Sequence, residues 1–365
     1  MSWLDGRSIH QVMVTAAPGD AITNSVMEIR SLLRTYGKSE VFACNIHNEL
    51  LGDVLSISDY DRHAPAEEQP LTLVHLSMGD DHLLPFVSRL AGALIVSYHN
   101  ITPSSYFAPW DASTARLLEL GRRSLEALRD RTVLALADSS FNAADLHDAG
   151  YSPVRVGGLI LGVERLLELE PARMHAPVDG PTILSVGQNY PHKRPDLILA
   201  AFHELVARHR PDAHLVLAGS SRLPGYADAI SRYVDRLGLA SKVTVTGHIP
   251  EAELVAWYRR ADLFVVASAH EGFCVPLIEA MQFDIPIVAR ANGAIPETLG
   301  GAGVLVPGDT GPSTLAAVMA AVLDDDLARD ALRARGRERR SAFTAEACRR
   351  RFLEALDDLA PRDRA

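Results

Sequence analysis

The sequence predicts an α/β protein built of two doubly wound domains of similar size, and three observations carry that prediction. The chain has 365 residues, too many for one ordinary hydrophobic core. Short apolar runs alternate with longer amphipathic stretches throughout, the rhythm of parallel strands joined by helices. The rhythm breaks once, from Glu164 to Pro181, where Pro171, Pro177, Gly180 and Pro181 gather without a strand pattern. Residues 1–163 and 182–341 are therefore read as the two domains, 164–181 as the passage between them, and 342–365 as a closing helical segment.

In the first half, Gln11–Ala16 reads as a strand, the turn Ala17-Pro18-Gly19-Asp20 follows, and a helix is expected from about Asn24 to Tyr36. Glu40–Cys44 and Leu71–His75 are strand candidates. Ala93–His99 is the clearest buried strand, opening on the apolar run Ala93–Val96. Ser113–Arg131 reads as helix, Thr132–Ala137 as strand and Ser140–Ala149 as a short helix, and Tyr151–Gly158 leads out. The second half repeats the pattern more cleanly. Strands are expected at Thr182–Val186, His214–Ala218, Lys242–Thr246, Leu263–Ala267, Ile285–Ala289 and Gly303–Val306. Helices are expected at Pro195–His209, Tyr226–Leu237, Glu251–Arg260, Pro276–Gln282, through most of Thr314–Ser341, and at Ala345–Leu359.

Composition excludes several classes of function. With 36 Lys and Arg against 46 Asp and Glu, the net charge is -10, which argues against nucleic acid as the main partner. The 47% apolar and 22% charged shares are those of a globular chain. Cys44, Cys274 and Cys348 are odd in number and widely spaced, the pattern of reduced thiols in a cytoplasmic protein. Met1 to Val14 lacks the pattern of a signal peptide, and no apolar run reaches the ~20 residues of a membrane-spanning helix.

Ligands of open parallel sheets bind beyond the carboxyl ends of the strands, which singles out four segments. The strongest is His270-Glu271-Gly272-Phe273-Cys274-Val275-Pro276-Leu277-Ile278-Glu279, a strand exit entering a helix at Pro276. The amides of Phe273, Cys274 and Val275 are expected at a positive helix end suited to an anion. Gly272 allows close backbone approach, and Glu271 and Glu279 are placed to accept hydrogen bonds from sugar hydroxyls. For either carboxylate alone, a solvated loop or a helix-dipole partner is the better reading; for both in this frame the functional one is. The second segment, Gly187-Gln188-Asn189-Tyr190-Pro191-His192-Lys193-Arg194, brings a Lys that can neutralise a leaving diphosphate, although a solvated helix start competes. The third, His99-Asn100-Ile101-Thr102-Pro103, sets a His at a strand end, where a satisfied core His is the alternative. The fourth is the Gly19 turn, which lacks the spacing of a dinucleotide fingerprint.

These motifs resemble those of glycosyltransferase family 4, whose signature is two Glu residues separated by seven, in the context EGFG-x-P-x-x-EAM. Here it stands as EGFCVPLIEAM, Glu271 to Met281, followed by Ile285-Pro286. Gly187 with Lys193, the turn Ala294-Ile295-Pro296-Glu297, Gly303-Val304-Leu305-Val306, HNITP from His99 and Gly162-Val163-Glu164 add to the resemblance. It implies a GT-B fold, with two Rossmann-like domains facing a cleft and the last helix returning to the first domain, and retaining hexosyl transfer. Glu279 would hold the donor ribose, Glu271 and the Phe273–Val275 backbone the sugar and diphosphate, Lys193 the diphosphate, and His99 the sugar. Gly19, Gly187, Gln188 and Gly272 would contact the donor or its phosphates, and Gly247, His248 and Ile249 would border the base.

The resemblance implies no cofactor and no metal, with a nucleotide diphosphate sugar as co-substrate; UDP-sugars are favoured and GDP-sugars compatible. Asp59-Tyr60-Asp61 is read as a loop turn and not as a metal site. The acceptor would be a saccharide, a lipid-linked sugar or a small molecule. The arginines of Ser113–Arg131 would suit peripheral membrane contact, although a solvated face explains them better. Oligomeric state is left open. Three positions depart from the family: Gln188 stands where Arg is usual, Asp284 where Gly is usual, and Cys274 at the second Gly of EGFG. Gln188 and Asp284 motivate one alternative, a non-catalytic binding subunit; a nucleotide-sugar epimerase stands behind it.

Overall fold

The computed structural model describes residues 3–64, 70–173 and 180–360. Residues 174–179, with Pro177 of the expected passage, and 361–365 of the closing segment lie outside them. The chain divides into two compact units, one of Met1–Ala108, Ala112–Gly162 and Thr344–Ala365, the other of Pro109–Asp111 and Val163–Phe343.

The first unit is built on seven parallel strands: β1 Ile9–Ala16, β2 Val41–Ile46, β3 Leu55–Ser56, β4 Leu71–Leu76, β5 Leu94–Tyr98, β6 Thr132–Ala137 and β7 Val154–Val156. They run in the order β3-β2-β1-β4-β5-β6-β7. The central strands are buried on both faces, which is why they read as continuous apolar runs; Leu94, Ile95, Val96 and Tyr98 have no exposed surface. The second unit holds six strands: β8 Thr182–Val186, β9 His214–Ala218, β10 Val243–Gly247, β11 Leu263–Val266, β12 Ile287–Arg290 and β13 Val304–Val306. Their order is β10-β9-β8-β11-β12-β13. Each sheet reverses its strand order once, at β1/β4 and at β8/β11, and such a reversal opens a crevice at the carboxyl ends of the strands.

Local chemistry sets the element ends. The first helix is Ala21–Leu33, about a turn earlier than expected, because the Asp20 carboxylate accepts from the Thr23 amide at 2.9 Å and caps it. The expected helix over Thr314–Ser341 is two helices, Pro312–Asp324 and Asp326–Arg340. Asp325 breaks the run and caps the second through the Ala328 amide at 2.9 Å. β3 and β7 were not expected from the sequence, being too short to show alternation. β12 begins at Ile287 rather than Ile285, after Pro286, whose carbonyl accepts from Phe264.

One expectation needs correction. Asp59-Tyr60-Asp61 is not a loop turn: a 3-10 turn runs directly into the helix Tyr60–His63, with Tyr60 buried and hydrogen-bonded to Thr72 at 2.6 Å. Its two acids pair with Arg62 and Arg89. At the start of the passage, Val163–Leu167 is a 3-10 turn of the second unit, with Val163 and Leu166 buried. Arg165 there forms a two-pronged ion pair with Glu251. The helix Ala345–Leu356 belongs to the first unit, where Arg349 meets Glu28 at 2.6 Å.

Candidate functional site

The crevice at the β8/β11 reversal is built from two strand exits. β8 ends at Val186, and Gly187 turns the chain at a φ of +148 with open space beside it. Gly219, leaving β9, has a φ of +143, and a Cβ there would lie 2.0 Å from the Gly187 carbonyl oxygen. Only glycine lets these two exits come so close. Asn189 then fastens the β8 exit, its side-chain amide donating to the Gly219 carbonyl at 2.7 Å. A 3-10 turn, Pro191–Lys193, follows, and it returns Lys193 toward β11.

Across from it, β11 gives way to Ser268 and Glu271. The Lys193 Nζ lies 2.8 Å from each oxygen of the Glu271 carboxylate, and Ser268 Oγ donates to Oε1 at 2.7 Å. Glu271 is 6% exposed. Its backbone is fixed by the loop after β12, where the Ala294 amide donates to the Glu271 carbonyl at 2.9 Å. A Cβ on Gly293 would meet that carbonyl oxygen at 2.3 Å, so the loop can close on Glu271 only with glycine there. Burial is the largest single influence and disfavours the Lys193 ammonium, but the Glu271 charge, Cys274 and the Glu271 hydrogen bond together outweigh it and the net shift is upward. His192 beneath is held neutral, its affinity for a proton lowered well below the usual histidine range by burial and by Lys193.

A shallow pocket, open to solvent, lies between the two exits. Gly187, Gln188, Lys193, Glu271 and Cys274 all line it, as do Ser268 and Asn189. The helix Val275–Gln282 starts at its rim with Cys274 as N-cap, in the left-handed region at φ 76 and ψ 65. Burial pushes the Cys274 thiol well above its usual range, so it is a neutral group there. Gly272 and Phe273 continue the same loop, and Phe273 is tied back by Thr298 Oγ1, which donates to its carbonyl at 2.6 Å.

Glu279 does not line the pocket. It lies further along the helix, accepting from the Tyr258 hydroxyl at 2.6 Å. Burial raises its carboxyl above the ordinary range, while the Tyr258 bond works the other way. Gly247 closes β10 at φ 68 and bridges to Gly219; His248 beyond it is exposed and Ile249 half-buried.

Gln188 is exposed. Arg222, also exposed, neighbours the half-buried Tyr190. Asp284 lies outside the site. It caps the far end of the Val275–Gln282 helix at φ 55, where its carboxylate meets Arg337 at 3.0 Å and Arg340 at 3.6 Å. These partners explain an acid where glycine is usual.

Gly19 and His99 belong to the first unit. Gly19 turns the chain after β1 at φ 72 with open space around it. His99 is enclosed: Nδ1 lies 3.0 Å from both Asp138 oxygens and Nε2 lies 2.8 Å from His75 Nδ1. His75 Nε2 is bonded in turn to Gln11 Oε1 at 3.0 Å, and Gln11 donates its own amide to the Val26 carbonyl at 3.1 Å. Both His99 ring nitrogens are thus engaged within the fold, and a side-chain contact with a sugar requires the His75 bond to open. The sequence did not signal Asp138, His75, Gln11, Tyr258 or Gly293, because each acts only through partners distant in the chain. Ser268 was within reach, three residues before Glu271 on the same exit.

Residues 168–339 match the family model described as glycosyl transferases group 1. That segment holds every site residue of the second unit named above. The chain is 34% identical over 208 residues to the D-inositol 3-phosphate glycosyltransferase of Kineococcus radiotolerans, covering 52% of this chain and 48% of that protein. The D-inositol 3-phosphate glycosyltransferase of Mycobacterium tuberculosis is 29% identical over 232 residues, 60% of this chain and 47% of its own. The chain thus spans about half the length of the curated relatives it matches. Among solved structures, HepE of Anabaena in complex with UDP and glucose aligns with a TM-score of 0.74 at 17% identity, covering 96% of this chain and 100% of that one. The sucrose-phosphate synthase of Thermosynechococcus elongatus gives 0.72 at 18%, covering 97% and 99%. These likenesses show the fold: the chain has the GT-B architecture, and in sequence it is similar to glycosyltransferases. No helix among the described residues is long and apolar enough to cross a membrane.

Proposed function

We propose that this protein is a retaining, metal-independent hexosyltransferase of the family 4 type, moving a hexose from a UDP-sugar to a saccharide, lipid-linked or small-molecule acceptor. The observation that carries the reading is the Lys193–Glu271 pair facing an open pocket at the strand reversal of the second unit. In that reaction the bond between the sugar's anomeric carbon and the diphosphate oxygen breaks, and charge builds on the leaving phosphate. Lys193 and the amides at the start of the Val275–Gln282 helix stabilise that charge. The acceptor oxygen bonds to the anomeric carbon from the same face, and its proton passes to a leaving phosphate oxygen. No carboxylate base is needed.

HepE complexes with UDP and with UDP-glucose support a uridine donor, and relatives named for D-inositol 3-phosphate support a small polyhydroxylated acceptor. The rival reading of a non-catalytic subunit loses one of its motives, since Asp284 is accounted for by its arginine partners. Of the arginines that would serve membrane contact through the helix Ala112–Leu128 and its continuation, Arg116, Arg122, Arg129 and Arg131 are bonded within the first unit and Arg123 is exposed, so that reading has little support.

The test is a calorimetric titration with UDP-glucose and GDP-mannose, followed by turnover of the substrate that binds. Lys193→Ala is expected to lower kcat by about 10²–10³ with a smaller change in donor affinity, and Glu279→Ala to weaken donor binding. Unchanged turnover in Lys193→Ala would remove the donor site from this pocket, and unchanged donor affinity in Glu279→Ala would remove Glu279 from the donor site. An NMR spectrum showing inverted anomeric configuration in the product would remove the retaining mechanism.

A further inference from the structure

We propose that Glu271 makes the pocket select sugar nucleotides over free nucleoside diphosphates by holding Lys193 in competition with the phosphates. The inference rests on the reading above and concerns the same pocket. Among the described residues that line it, Lys193 is the sole cation and Glu271 the sole carboxylate. The two are closed on each other, both carboxylate oxygens lying 2.8 Å from Nζ. The side chains lining the pocket therefore carry no net charge to offer a diphosphate.

An ammonium has three N–H donors. Two are given to Glu271, so a diphosphate entering the pocket either takes the remaining one or draws Lys193 away. In the second case Glu271 keeps only the Ser268 hydroxyl. Its side chain is 7% exposed, and a buried carboxylate that loses its cation beside another anion is strongly disfavoured. Turning out to water would cost it the Ser268 bond, and the backbone it turns from is fixed by the Ala294 amide. A sugar still attached to the diphosphate resolves the conflict, since its hydroxyls donate to the carboxylate as Lys193 turns to the phosphates. A nucleoside diphosphate without the sugar has no such donor. The same imbalance helps the diphosphate leave once the sugar has been transferred.

The test measures Kd for UDP, GDP, UDP-glucose and GDP-mannose by calorimetry on the wild-type protein and on Glu271→Gln. The variant keeps the side chain's size and an acceptor for Ser268 but removes the charge that holds Lys193. Glu271→Gln is expected to bind the free diphosphate at least about tenfold more tightly and the sugar nucleotide no more tightly than wild type does. Equal or weaker diphosphate binding by the variant, with the wild type binding normally, overturns the inference and leaves the proposed function standing. If neither protein binds any of the four nucleotides, the proposed function falls and the inference with it. Should Glu271→Gln fail to fold, the wild type decides alone: it must bind the sugar nucleotide more tightly than the matching diphosphate, and the reverse order overturns the inference.

Discussion

The two units share one topology and finish their central strands in opposite ways. In the first, the strand ends of β4, β5 and β6 close over a buried chain, Asp138 to His99 to His75 to Gln11, in which each ring nitrogen has a partner. In the second, the ends of β8 and β11 stand apart around a pocket with a half-buried lysine and a buried carboxylate at its floor. Strand order alone therefore does not make a binding site. A crevice left open by the side chains can take a ligand, whereas one filled by reciprocal hydrogen bonds stiffens the fold. The Gln11 end fixes the first chain's polarity. Its amide donates to Val26, so its oxygen accepts from His75 Nε2, and a neutral His75 must then accept at Nδ1 from His99.

The sharpest way to break this contrast is Asp138→Ala. If the first cluster is structural, the substitution costs about 3 kcal/mol of stability, because it strips the partner from a buried histidine. Nucleotide affinity at the second unit should stay within about threefold of wild type, a change of under 1 kcal/mol. Urea unfolding and calorimetry measure the two effects separately. Normal stability with lost nucleotide binding would place the first cluster in the binding machinery and erase the distinction.

A second experiment uses what the units have in common, since each buries a neutral histidine. Burial, with the neighbouring His99 for His75 and Lys193 for His192, lowers both pKa values well below the usual range. The stability they contribute is present above the unfolded value near 6.5 and is lost as pH falls below it, because the unfolded chain takes up those protons first. Each should contribute a slope of about 1.4 kcal/mol per pH unit below that point. Urea titrations at successive pH values should show the slope reduced by about 1.4 kcal/mol per pH unit in His75→Gln or His192→Gln. A slope unchanged by either substitution would mean that other groups carry the acid sensitivity.

The smallest expected effect concerns Cys274, a side chain held at φ 76 on the pocket rim. Cys274→Gly should leave stability within about 1 kcal/mol of wild type, relief of the left-handed strain offsetting the lost contacts. Cys274→Val should cost about 2 kcal/mol, since a branched Cβ is poorly tolerated there. Thermal unfolding of the two variants decides whether the rim is as rigid as the floor beneath it.

Much of this was legible in the sequence because it is written in local periods. Runs such as Ala93–His99 and Leu263–Ala267 announce buried strands, and Pro276 and Pro195 mark helix starts within a residue or two. β3 and β7 escaped because two or three residues show no period, and the first helix was set a turn late because its Asp20 cap was not weighed. At the site, Glu271, Lys193 and Gly187 could be named from their strand exits. Glu279 was expected beside them, yet its carboxylate turns to Tyr258, 21 residues earlier in the chain.

The sequence by itself determined the alternation of strands and helices, the residues that leave each strand, and the chemical types gathered at those exits. Only the tertiary structure decided which of them meet. Lys193 and Glu271 are 78 residues apart and become partners because the sheet reverses its order between β8 and β11. His99 and Asp138 are 39 apart and become partners because β5 and β6 are neighbours. The physical reason is one of range. Backbone periodicity and capping act over a few residues, whereas a charge buried in a low-dielectric interior is fixed by whatever polar group the fold brings within about 3 Å of it.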